Sequence, residues 1–374
     1  MQELAQAWLV LEIAKSRPAF WLGIDAFLGD IPIFLFSLVG GVIADRMSRR
    51  RLLIASQLVQ MTTAFTLVAL IVTKTVKVPQ ILLLSFIVGT AQSFGGPAYS
   101  ALVPTLVEKE DLPNAIALNS IQFNLARVIG PVLGGIALST LGAAWCFGLN
   151  GISFIAVIVS LLLLRSSFEP QKTGESIMTS MKQGFGFIRK QGAMEALIVL
   201  AFCMTALAIP MITFLPVFAK DVFHGGPKVL SYLLASSGLG SVAGALIVAA
   251  MGNVRNKGRV ALFMLICLGA GMAGFALSRL LVLSYILLFL SGAALIAAFA
   301  MISSLVQLIT ANDMRGRVMS VYNVAFRGGM PFGSVATGWL IPMFSAPLVI
   351  SANGLLLLVL AFYFLIVQRR VAAL

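Results

Sequence analysis

Few ionisable groups interrupt the long apolar stretches of this sequence, and those few are where chemistry can happen. Asp25 and Asp30 fall within one such stretch, Arg127 within a second and Arg327 within a third. A charged side chain inside a bilayer is costly unless it faces a protein interior, a wet cavity or a partner, so each is a candidate functional group. Asp30 lies about 11 residues, roughly 16 Å by helical rise, inside its stretch, and Asp25 about half as deep. Glu3 would reach mid-membrane if its helix continued upstream of Met1. Burial and a cationic partner such as Arg127 pull the protonation equilibrium of a carboxyl group in opposite directions. A carboxyl balanced between them can release and regain a proton, and Asp30 is the first choice for that role, Asp25 the second.

The arginines carry polar company. Ser120, Asn124 and Arg127 recur at i, i+4, i+7, and Ser320, Asn323 and Arg327 at i, i+3, i+7. Each set forms a polar stripe along one helix face, as expected of a wall of a wet cavity. Pro131 and Pro331 stand four residues after the two arginines and cannot donate to their carbonyls. Gln92, Ser93 and Tyr99, and Ser303, Ser304 and Gln307, are further cavity candidates, with Trp8 and Phe94 as stacking surfaces. A structural reading competes for all of these: helix–helix contacts, and arginines bonded to freed carbonyls. With one histidine and three cysteines in separate apolar runs, neither a metal site, a cofactor site nor a disulfide framework is expected.

The elements that must position these groups are membrane helices. Of 374 residues 60% are hydrophobic and 10% charged, with a mean hydropathy of +1.02, whereas soluble domains carry roughly 25% charged residues. Continuous apolar runs of about 20 residues suit helices rather than an alternating barrel. Eleven spans are expected, at 19–44, 52–73, 79–104, 113–140, 144–165, 193–219, 227–251, 260–278, 282–311, 315–342 and 346–368, with an apolar stump at 1–14. With the linker at Lys15–Pro18 external, seventeen of the 26 Lys/Arg are cytoplasmic, seven are external and two lie within spans. That orientation follows the positive-inside rule. The net charge of +13 then reflects topology and attraction to anionic lipid, and nucleic acid is not an expected partner.

The halves resemble each other. Leu102-Val103 matches Leu305-Val306 and Asn150-Gly151 matches Asn353-Gly354 at one offset, while Ser120, Arg127 and Pro131 match Ser320, Arg327 and Pro331 at nearly the same one. The expected organisation is an N-terminal bundle at 1–165, a cytoplasmic linker with an amphipathic helix at 166–192 (Ile177, Met181, Phe185 and Ile188 at helical spacing), and a C-terminal bundle at 193–374. Parallel repeats enclosing a midplane site are a transporter plan. By the repeat, the first helix should begin about a dozen residues before Met1, so it is expected to be incomplete.

Two motifs add specificity. Gly41, Asp45, Arg46, Arg49 and Arg50 fit G-x-x-x-D-R-x-x-R-R, and the pattern resembles motif A of the major facilitator superfamily, which in that family latches the cytoplasmic side. Gly130, Pro131, Gly134 and Gly135 resemble the end of that family's antiporter motif, although its earlier glycines are missing and position 126 is Ala. The stretches Gly95–Pro104, Glu110–Ser120, Asn124–Arg127, Leu215–Ala219 and Arg315–Val318 resemble the bacterial enterobactin-exporter and macrolide-efflux branch. The resemblance implies an all-α membrane protein of the major facilitator fold, two six-helix bundles related by a pseudo-two-fold axis with the first helix truncated. It further implies a monomeric, proton-driven exporter of amphiphilic small molecules (siderophore or drug-like) in a bacterial inner membrane, in contact with lipids. No phosphate-binding G-x-x-x-x-G-K-[ST] loop occurs, so the driving force is expected to be a gradient. No catalytic constellation stands out, so an enzyme is not expected. The alternatives are uptake or lipid flipping by the same fold, or a non-transporting membrane sensor.

Overall fold

The computed structural model describes residues 1–108, 110–164, 177–252, 256–312 and 314–374, without the side chains of 37–42, 44–46, 177–182 and 190. The side chains of Asp45 and Arg46, the glycine Gly41 beyond its helical backbone, and the linker before Ile177 therefore lie outside the described residues. The described regular structure is helical. It divides into two compact units, Met1–Ile177 and Met178–Leu374, a division that falls inside the stretch expected to be linker.

The first unit holds α1 (Gln2–Ile13), α2 (Pro18–Arg46), α3 (Arg49–Val72), α4 (Val78–Leu102), α5 (Leu112–Thr140) and α6 (Ala143–Leu163). The second begins within α7 (Ile177–Lys190) and continues with α8 (Gly192–Thr213), α9 (Leu215–Val217), α10 (Pro227–Met251), α11 (Lys257–Leu277), α12 (Leu281–Ile309), α13 (Arg315–Phe344) and α14 (Ala346–Phe362). Prolines sit in the first turns of α2, α4, α5, α10 and α14, where the missing N–H costs nothing and φ is already helical. Among the described residues ten helices are long and apolar enough to cross a membrane. The long helix outside that set is α13, whose 30 residues include Arg315, Arg317, Arg327 and several glycines and serines. It occupies the stretch expected to span at 315–342.

The repeat inferred from dipeptides is also a repeat of packing. Within the first unit α2 packs on α4, α3 on both α4 and α6, and α1 on α5 and α6. Within the second, α10 packs on α12, α11 on both α12 and α14, and α8 on α13 and α14. Glycines mark equivalent crossings. A Cβ on Gly89 would run into the Gly29 carbonyl of α2, and a Cβ on Gly292 into the Ser237 carbonyl of α10. Gly151 of α6 faces the Phe65 ring of α3 at 2.9 Å from its would-be Cβ, and Gly354 of α14 faces Gly269 of α11 at 2.7 Å. Small residues let the helices approach until backbone touches backbone, the main source of cohesion between helices in lipid.

α7 buries Gly184 and Ile188, with Gly184 against the backbone of Arg317, while Phe185 is exposed beneath the Arg189 guanidinium at 5.5 Å. The expected apolar line through Phe185 and Ile188 is thus split. Gly184 admits α13 so closely that the 184/188 line, not 185, turns inward.

Candidate functional site

The most developed polar site in the first unit joins three helices. Asp25 and Gly29 are one turn apart on α2, and Ser85 and Gly89 one turn apart on α4. The contact of Gly89 with the Gly29 carbonyl draws the two helices together, and one turn away it sets Ser85 against Asp25. α1 closes the site by burying Leu4, Ala5, Trp8 and Leu9 around Gln6. Asp25 is 8% exposed and Ser85 6%. The Gln6 Nε2 amide donates to Asp25 Oδ2 at 2.9 Å, lies 3.1 Å from Oδ1, and reaches Ser85 Oγ at 2.8 Å. Ser85 Oγ is 2.5 Å from Asp25 Oδ1 and 3.0 Å from the Ile81 carbonyl.

A serine hydroxyl has one proton and two acceptor sites, so it serves only one of its two acceptors at a time. With Asp25 ionised, Ser85 and Gln6 both donate to the carboxylate. With Asp25 protonated, its own O–H donates to Ser85 Oγ, and the serine proton turns to the Ile81 carbonyl. The same atoms in the same places satisfy both states. Buried polar groups left unsatisfied are expensive, so a site that stays satisfied after gaining or losing a proton can change charge without rebuilding itself. Gln6 and Ser85 are not among the residues that sequence patterns single out. The only signal for Gln6 is a polar residue at helical spacing among buried apolar ones.

The other predicted residues are distributed differently. Asp30 is half-buried, further along α2. Arg127 is exposed and lies over the Phe123 ring at 4.6 Å, close enough to Glu3 to feel its charge. Ser120 donates to the Ile116 carbonyl at 2.9 Å and Asn124 to the Ser120 carbonyl at 2.8 Å, so the α5 stripe is tied to its own helix. Ser320 repeats this with Gly316 on α13, where Asn323 and Arg327 are exposed. α5 runs unbroken through Pro131. A Cβ on Gly130 would meet nothing within 4 Å, whereas one on Gly134 would lie 3.0 Å from Met1 Cα. Gly134 and Gly135 are buried, and α5 packs against α1. Trp8, expected as a stacking surface for cargo, is buried and donates to Glu12 at 2.6 Å. It faces protein because α1 packs along its whole apolar side.

Gln92 accepts from Gln60 at 3.2 Å, and Gln60 also reaches Ser56. Of the basic motif, Arg49 donates to the Ala101 carbonyl at 2.9 Å and Arg50 to the Leu162 carbonyl at 2.5 Å. Those acceptors belong to the last turns of α4 and α6, where carbonyls lack helical donors and the dipole is negative. The two arginines thus tie the start of α3 to two neighbouring helix ends within the first unit. In the second unit, Ser303, Ser304 and Gln307 line a recess of about 360 Å³ with Phe299 and Arg315.

A family model described as transmembrane secretion effector matches residues 1–373. The chain belongs to that family, within the major facilitator superfamily. The enterobactin exporter EntS of Shigella boydii serotype 4 (strain Sb227) is 27% identical over 364 residues, covering 96% of this chain and 86% of its own. EntS of Escherichia coli O81 (strain ED1a) has the same identity and coverage. Among solved structures, the nucleoside transporter NupG superposes with a TM-score of 0.67 at 17% identity, over 97% of this chain and 96% of its own. A mutant of NupG gives 0.73 at 16% over the same shares. This secretion-effector family member is therefore a multi-pass membrane transporter with the major facilitator fold, and not an enzyme.

Proposed function

We propose that this transporter exports an amphiphilic small molecule from the cytoplasm of a bacterial cell in exchange for protons, with Asp25 carrying the proton. The observation that carries the reading is the buried Gln6–Asp25–Ser85 cluster, whose hydrogen bonds serve both protonation states. The corresponding first turns of α10 hold Leu230, Leu233 and Leu234, so the cluster is a departure from the repeat, as a specialised site would be. Relatives named as exporters, aligned over nearly the whole chain, support the outward direction. Asp30 is the second carboxyl of the coupling path; Arg127, Asn124 and Gln92 of the first unit and Arg327, Asn323 and Gln307 of the second are the charged and polar groups assigned to cargo. The two helical units work as a monomer by alternating access in the inner membrane, and the Gly41–Arg50 motif gates the cytoplasmic side.

Purified protein in liposomes with an acidified lumen tests this. Antiport moves protons out and concentrates an amphiphilic dye inside, and a protonophore abolishes the accumulation. Uptake by symport gives the opposite sign. Dye that only equilibrates, whatever the pH gradient, would overturn the proposal.

A further inference from the structure

The recess in the second unit has a composition that the coupling site does not explain. Ser303, Ser304 and Gln307 occur at i, i+1 and i+4 on the last turns of α12, and Phe299 lies one turn earlier. Arg315 reaches the recess from the first turn of α13 and is the single ionisable group of its described lining. The Phe299 ring meets Phe326 at 4.7 Å between centroids, and Phe326 stacks on the buried Tyr322 at 6.1 Å. The apolar end is therefore a fixed aromatic wall, braced from inside α13. The polar end is loosely engaged: Gln307 Nε2 touches Ser303 Oγ at a long 3.4 Å, leaving most of the amide's hydrogen-bonding capacity available. A volume of about 360 Å³ is within the range of small-molecule sites, roughly 300–1,000 Å³. Guanidinium, hydroxyls and a primary amide converging beside a ring match an oxyanion carried on a flat apolar body, since guanidinium binds carboxylate and phosphate through paired N–H groups.

We propose that this recess binds an organic anion with a flat apolar body, the anion on Arg315 with Ser304 and Gln307 and the body against Phe299. The ends of α12 and α13 that form it are on the cytoplasmic side by charge distribution, so it receives cargo before translocation. This assignment rests on the export reading for its role but not for its chemistry. A phosphate of an anionic lipid shares the head-group chemistry, and the proposal commits to soluble cargo.

Equilibrium binding of 1-naphthoate and of neutral 1-naphthamide to the full-length protein in phosphatidylcholine nanodiscs provides the test. Naphthoate is expected to bind the wild type more tightly than naphthamide. Arg315→Gln should weaken naphthoate at least about tenfold, about 1.4 kcal/mol, and leave naphthamide within about twofold, while Arg315→Lys, which keeps the charge but not the paired N–H groups, should retain only part of the affinity. Gln307→Leu, at an exposed position that folding tolerates, should weaken naphthoate severalfold and covers the case in which Arg315→Gln fails to fold. Equal weakening of both probes, or no weakening in either variant, would overturn the assignment. Loss of naphthoate binding when phosphatidylglycerol is added to the nanodiscs would give the site to lipid and overturn the cargo assignment. Binding needs no proton gradient, so a failure of proton coupling would leave these results intact.

Discussion

Replacing Asp25 by Asn keeps the shape of the side chain and removes its ability to exchange a proton. The substituted amide could still accept from Ser85 through its oxygen. Its nitrogen would face the Gln6 amide nitrogen, now 2.9 Å from Asp25 Oδ2, and turning the Gln6 amide over converts that clash into a hydrogen bond. The turn gives up the contact of Gln6 with Ser85 at 2.8 Å. One ordinary hydrogen bond is lost, about 0.5–1.5 kcal/mol, so the variant should fold. Asp25→Leu would instead leave the second Gln6 amide proton without an acceptor, about 1–3 kcal/mol, while Ser85 keeps its bonds to Gln6 and the Ile81 carbonyl. It should be less stable than Asp25→Asn. The transport effect is of another kind. One pH unit across the membrane is about 1.4 kcal/mol per proton, so one-for-one exchange can sustain a cargo ratio of about tenfold. In liposomes with a one-unit gradient, the wild type should approach that ratio. Asp25→Asn should fall to a ratio of about one while still equilibrating cargo. Wild-type accumulation by Asp25→Asn would refute the role given to this carboxyl. If Asp30→Asn alone abolished accumulation, the proton would belong to Asp30.

Three further outcomes follow from packing. Gly130→Ala places its methyl in open space, so thermal unfolding in detergent should show a gain of up to about 1 kcal/mol from helix propensity. Gly333→Ala places a methyl against the backbone of Ala206 on α8, and the same assay should show a loss of about 1–3 kcal/mol; unchanged stability would mean that α8 and α13 are not in backbone contact. Arg49→Ala frees the Ala101 carbonyl at the end of α4, and proteolysis at the α4–α5 connection should accelerate severalfold, with partial rescue by Arg49→Lys. A variant as resistant as the wild type would remove Arg49 from the role of tying helix ends together.

The fate of the candidate residues shows what kind of information sequence patterns carry. Asp25 and Asp30 are both visible as acids in an apolar run, and depth alone ranks one above the other. Depth says how far a group lies from water along its own helix, not which side chains stand across from it. The partners of Asp25 come from 19 and 60 residues away, on helices whose rotation about their own axes no periodicity specifies. Arg127 and Asn124 are legible as a polar stripe, yet Asn124 bonds to its own backbone. A stripe marks a face but not what it meets. Arg49 and Arg50 are legible as a motif, while their acceptors on Ala101 and Leu162 are backbone carbonyls that any residue supplies.

Composition, the spacing of apolar runs and the offset between halves were enough to determine a helical membrane protein of repeated construction, and the distribution of Lys and Arg gave an expected orientation. These follow from solvation: lipid selects apolar helices and cytoplasmic cations wherever they occur in the chain. Tertiary structure alone decided that the crossing of Gly29 and Gly89 places Ser85 on Asp25, and that Gln6 completes the site. Such contacts depend on how closely and at what rotation two helices meet, which short-range packing sets atom by atom.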